Sequence, residues 1–61
     1  MTEETLVEIG MLDVHRRFTF SGHPGEVYVV TRKNNGDVWY MIATGGTENC
    51  CSDNFKVVPV L

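Results

Sequence analysis

Four side chains in this 61-residue sequence have the chemistry to bind a metal or attack an electrophile: His15, His23, Cys50 and Cys51. Zinc sites draw ligands from pairs set two to four residues apart, so that both side chains turn to one ion. Here the cysteines are adjacent, and adjacent residues point to opposite sides of a strand. The plain reading is one cysteine in the core and one outside. Neighbouring cysteines also rarely bond each other, because the small ring strains the peptide between them. His23 precedes Pro24 and reads as a turn residue. Nucleophilic catalysis needs a thiol or hydroxyl beside a placed base, and no spacing sets either histidine against Cys51. A domain this small rarely encloses a pocket. Gly22-x-x-Gly25 is a turn, neither a phosphate loop nor a dinucleotide fingerprint. The expectation is a protein that is not an enzyme, with no metal and no cofactor.

Recognition by contact is the remaining class, and composition narrows it. The chain is one domain at most, and a domain of this size buries only about 60% of the surface its unfolded form exposes. Apolar residues make up 43% and charged residues 21%, which suits a folded chain. The net charge is −3, with five basic residues against eight acidic. Nucleic-acid binders usually carry a basic excess, because phosphate contacts supply most of their affinity. The opposite sign here lowers that reading, although Arg16, Arg17, Arg32 and Lys33 form a local basic set. No apolar run approaches the roughly 18 residues of a membrane span. The start, MTEETLVEIG, has no basic region followed by a long apolar one. The chain reads as a cytoplasmic protein with reduced thiols.

The elements follow from pattern. Residues 1 to 5 are polar and expected to fray. TLVEIGML fits a first strand and a helical turn equally, since Thr5 with Glu8 resembles a capping box while Gly10 opposes a helix. HRRFTFSG reads as a strand with Phe18 and Phe20 on one face and Arg17 and Thr19 on the other. SGHPGE reads as a turn. A short strand fits around Cys50, between turn formers. FKVVPVL is a final strand whose Pro59 belongs at an edge or strand end.

The stretch EVYVVTRKNNGDVWYMIAT reads as one hairpin turning at Asn35-Gly36, because a two-residue type I′ turn needs positive φ at both positions. Counting outward, Lys33 faces Val38, Arg32 faces Trp39, Val30 faces Met41, Val29 faces Ile42 and Tyr28 faces Ala43. One face is then Val27, Val29, Thr31, Val38, Tyr40 and Ile42. The other is Tyr28, Val30, Arg32, Trp39, Met41 and Ala43. Neither is polar. The β-branched set suits a small core. The second set holds a long cation and the only tryptophan, which can stack at roughly 0.5–1 kcal/mol when exposed. The expectation places Val27, Val29 and Ile42 inside, with Tyr28, Trp39 and Met41 at least partly outside. A one-residue slip would exchange the faces.

Short strands at close spacing, a tight hairpin and no long helix predict an all-β fold, a small SH3-like barrel or rolled antiparallel sheet of about five strands. The order RRFTF, SGHPG, EVYVVT, NNGD, VWYMIAT, GG, D-x-F-K-V-V-P-V resembles the small SH3-like barrel proteins encoded by bacteriophages and related mobile elements. The likeness spans residues 14 to 61. Where that pattern often has Gly-Asp before the aromatic strand, this chain has His15-Arg16. The resemblance implies a small accessory protein that binds and inhibits a host protein in the host cytoplasm, and it brings no catalytic residues. With the exposed face, it makes Tyr28, Arg32, Trp39 and Met41 the expected partner contacts, since Trp, Tyr, Met and Arg are enriched where proteins meet. Two alternatives stay open. One is a nucleic-acid-binding barrel with Arg16, Arg17, Arg32 and Lys33 on phosphate and Trp39 stacked on a base. The other is a homodimer closed by the same apolar face.

Overall fold

The computed structural model of the chain describes residues 5–60. Most of the stretch expected to fray lies outside them. Within them the fold is all-β, as expected, with six strands where about five were foreseen. These are β1 (Val7–Glu8), β2 (Arg17–Phe20), β3 (His23–Asn34), β4 (Asp37–Ile42), β5 (Asn49–Ser52) and β6 (Lys56–Pro59). Every pairing is antiparallel, in one sheet of order β1-β6-β2-β3-β4-β5. The last strand thus returns to the first long one, and the sheet rolls. Among the described residues no helix is long and apolar enough to cross a membrane.

Residues 5 to 12 take both of the forms their pattern allowed. Val7–Glu8 pairs with β6, and Ile9–Met11 makes one 3-10 turn. The capping box does not form: Glu8 is the cap residue, and no side chain bonds the turn's amides. This turn closes the roll. The Ile9 amide donates to the Phe55 carbonyl at 2.7 Å and the Gly10 amide to the Asp53 carbonyl at 2.8 Å. A Cβ on Gly10 would stand 2.8 Å from Asp53 atoms, so only glycine lets the backbones approach this closely.

Fully buried Ile9, Phe18, Val30 and Val57, with Val38 and Leu12, make the core. Val7, Phe20, Tyr28, Tyr40 and Cys51 pack against it. Pro59 ends β6 opposite Phe18, at the strand end its missing donor requires.

Two features of β3 differ from expectation. The turn after β2 is shorter, because Phe20 pairs with His23, leaving only Ser21 and Gly22 between the strands. Between the pairs Phe18–Tyr28 and Phe20–His23, β2 advances two residues while β3 retreats five. His23 to Glu26 are therefore strand, and the surplus is absorbed as a bulge.

The second difference decides the faces. Asn35 and Gly36 have φ of 43° and 87°, and Asn34–Asp37, Lys33–Val38 and Arg32–Trp39 pair as counted. Thr31 is then an extra residue, and beyond it Val30 pairs with Tyr40, Val29 with Met41 and Tyr28 with Ile42. A bulge of one residue turns every later side chain of its strand over. Tyr28 and Val30, expected outside, face the core. Val27 and Val29, expected inside, are half-buried on the other face. The β4 assignment stands, with Val38 and Tyr40 inward and Trp39 and Met41 outside the core cluster.

Candidate functional site

The outward face is built in rows across the sheet. Arg17, Val29 and Met41 sit opposite one another on β2, β3 and β4. Arg32, Trp39 and Cys50 do the same on β3, β4 and β5. Trp39 and Met41 are half-buried and Arg32 is exposed. The Arg32 guanidinium stands 4.4 Å from the centroid of the Trp39 ring, within the range of cation–π attraction. Its Nη2 also lies 3.3 Å from Glu48 Oε1. The second Glu48 oxygen accepts a hydrogen bond from the Thr31 hydroxyl, the side chain of the bulge itself. One carboxylate therefore holds the bulge and the cation together. Its worth as an ion pair is small, because the two side chains are 61% and 36% exposed.

Three of the four expected partner contacts, Arg32, Trp39 and Met41, share this face. Tyr28 does not. It belongs to a cluster of rings on the inner face, centred on buried Phe18, that also holds Phe20, Tyr40 and Phe55. Phe20 and Tyr28 meet edge-on at 4.9 Å, and Phe18 and Tyr40 at 5.7 Å. The Tyr28 hydroxyl donates to Glu26 at 3.4 Å. Burial, followed by the neighbouring Cys51, pushes the Tyr40 phenol above its ordinary value.

The basic set divides as well. Arg17 shares the Trp39 face, and Arg16 borders a depression with His15, Arg17 and Val60. Lys33 sits opposite Val38, on the inward side. Its ammonium donates to the carbonyls of Leu12 at 2.9 Å and Gly10 at 3.2 Å, which anchors the 3-10 turn. Lys33 is thus tied into the fold, away from Arg32.

The cysteines lie on opposite faces, as adjacency required. Cys51 packs against the core, where burial first and then Cys50 raise its thiol pKa, and Cys50 is exposed. Both are free thiols. Among the described residues no three His, Cys, Asp or Glu side chains converge.

The ring cluster is what sequence reasoning missed. Phe18 and Phe20 on one face, and Tyr40 inward on β4, were visible from alternation, but Tyr28 joins them only through the Thr31 bulge. Comparison with family models, curated proteins and solved structures returns no match.

Proposed function

We propose that this chain is a protein-interaction module that docks on a partner protein through Arg32, Trp39 and Met41, with Val29 and Arg17 beside them. The observation that carries this reading is the Trp39 ring, half-exposed on the sheet face away from the core, with Arg32 stacked over it at 4.4 Å. A rigid aromatic anchor beside an arginine is the composition of an interface hot spot. The bulge supplies rigidity, since Glu48 braces both Thr31 and Arg32. Stacking also pre-pays part of the ordering cost that a free arginine would meet on binding. The likeness of residues 14 to 61 to phage-encoded barrels makes a host protein the favoured partner and inhibition the favoured outcome. Tyr28 leaves the contact set, because it serves the inner rings.

The test is capture of partners from bacterial lysate by wild type, Trp39→Ala and Lys56→Ala, followed by affinity measurement on the partner found. Trp39→Ala is expected to weaken binding at least tenfold, with Lys56→Ala binding as wild type. A partner held equally by all three would remove this face from consideration.

Nucleic acid is the second reading, favoured by Arg17 lying on the same face as Arg32 and Trp39. Lys33 is spent on the fold and Glu48 sets a negative charge beside Arg32, so the phosphate-binding set is reduced. A salt titration against single-stranded DNA separates the two. Phosphate binding weakens steeply as salt rises, and an affinity indifferent to salt eliminates this alternative.

A further inference from the structure

β5 is an edge strand, short at four residues, and it lacks the charges and proline that most often blunt an edge. Its residues, Asn49–Ser52, are uncharged and include no proline. Which backbone groups face outward follows from one hydrogen bond. The Asp53 amide donates to the Gly36 carbonyl at 2.8 Å, so these two form a hydrogen-bonded pair that continues the β4–β5 ladder. Such pairs alternate along an antiparallel ladder. Cys51, opposite Val38, and Asn49, opposite Tyr40, therefore turn their amides and carbonyls toward β4. Cys50 and Ser52 turn theirs toward the free edge. The Ser52 carbonyl accepts from Phe55 within the following turn. β4 is the only sheet neighbour of β5, and no turn or loop bond reaches Cys50, so its amide and carbonyl are left without a backbone partner among the described residues.

A second copy meets these groups by symmetry. Two β5 strands laid antiparallel in a continuous sheet keep inward residues opposite inward residues only if odd numbers pair with odd and even with even. The arrangement centred on the free groups sets Cys50 opposite Cys50 of the second copy. Two hydrogen bonds then join the Cys50 backbones, and both exposed thiols lie on the outward face. The row Arg32, Trp39, Cys50 runs on into the same row reversed.

We propose that a second copy of this chain adds to β5 antiparallel about a two-fold axis at Cys50, and that a small-molecule disulfide such as oxidised glutathione locks the pair through a Cys50–Cys50 bridge. The thiolate of one Cys50 attacks oxidised glutathione and releases one glutathione thiolate. The thiolate of the second Cys50 then attacks the Cys50 sulfur of that mixed disulfide and expels the other. Two protons and two electrons leave the cysteine pair, and one oxidised glutathione becomes two reduced. Residues opposite each other in a hydrogen-bonded pair hold their Cβ atoms at about 5.5 Å, roughly 1 Å beyond the upper end for an unstrained bridge. The bridge is therefore strained and readily reduced, a reversible clasp. The pairing rests on the free backbone groups of the β5 edge and is read on the protein alone, so its outcome does not depend on a partner protein docking at Trp39, although the bridge itself lies on that outward face.

The test treats the full chain with oxidised glutathione and reads intact mass, non-reducing electrophoresis and amide exchange by NMR. Wild type and Cys51→Ala are expected to form a covalent dimer, and Cys50→Ser none. In the bridged dimer the Cys50 amide is expected to exchange at least tenfold more slowly than in the reduced protein, while the Cys51 amide, already bonded to β4, does not change. A covalent dimer in Cys50→Ser, its absence in wild type, or a bridged dimer with an unprotected Cys50 amide each overturns the proposal.

Discussion

The Arg32 guanidinium lies over the Trp39 ring at 4.4 Å while one of its nitrogens reaches Glu48 at 3.3 Å. Both contacts sit at the surface, so their effect on stability is modest: about 0.5–1 kcal/mol for the stacking and about 0–1 kcal/mol for the exposed ion pair. Arg32→Ala is expected to cost no more than about 1.5 kcal/mol in urea unfolding, the sum of those ranges less screening. Its larger effect falls on the indole, whose fluorescence becomes more accessible to a neutral quencher once the cation is gone. Equal quenching in wild type and Arg32→Ala would show that the cation does not cover the ring in solution.

Legibility in the sequence divided along β3. The Asn35-Gly36 turn, the three pairs next to it and the whole of β4 follow from alternation and turn chemistry, because a type I′ turn tolerates few residue pairs. The bulge at Thr31 has no such signature. Both faces of the hairpin are apolar, so hydrophobic pattern alone could not detect that Tyr28 and Val30 had exchanged sides with Val27 and Val29. What selects the bulge is tertiary: it brings Tyr28 to the Phe18 ring beside Tyr40, and it presents the Thr31 hydroxyl to Glu48. Glu48 is 17 residues away in the chain. The role of Lys33 was hidden for a similar reason, since its partners are backbone carbonyls of the 3-10 turn, which carry no residue identity. The Trp39 face survived the error because it is set by β4.

Stability is expected to fall in alkaline solution. Burial, then Cys50 and Asp37, raise the Cys51 thiol above its ordinary 9.0. Burial, then Cys51, Tyr28 and Cys50, raise the Tyr40 phenol above its ordinary 10.0. In both cases the anion is disfavoured in the folded chain. Below the ordinary values each group is protonated whether folded or unfolded, and the stability is fully present. Above them the unfolded chain releases its protons first, so stability declines as pH rises and levels off once the folded groups ionise too. Urea midpoints should therefore hold steady near neutrality and drop from about pH 9 upward. Cys51→Val keeps an apolar group at that site and removes the thiol's share, so its decline should begin at higher pH. A midpoint that stays flat through both values in wild type would contradict this account.

Removing Thr31 is the direct test of the bulge. Thr31 is the extra residue, so its loss sets Val30 directly after Arg32 and opposite Tyr40 in a plain alternating ladder. The later pairs, Val29 with Met41 and Tyr28 with Ile42, are kept, and so are the faces. Val30 stays in the core, and Tyr28 keeps its contacts with Phe18, Phe20 and Tyr40. What is lost is the Thr31 hydroxyl bond to Glu48, at most about 1.5–3 kcal/mol for a bond to a charged group, and the extra twist of the bulge. The deletion variant is therefore expected to stay folded, with the ring-current shifts of the Phe18 cluster in place. Thr31→Gly keeps the extra residue and loses the same bond and some backbone entropy, about 1–2 kcal/mol, and should also stay folded. In a hairpin that alternated without a bulge, the same deletion would turn Val27 to Val30 over and expose whatever valines had been inside. An unfolded deletion variant, or one that loses the ring-current shifts, would mean that Thr31 is not the extra residue, and the assignment of faces would have to be reversed.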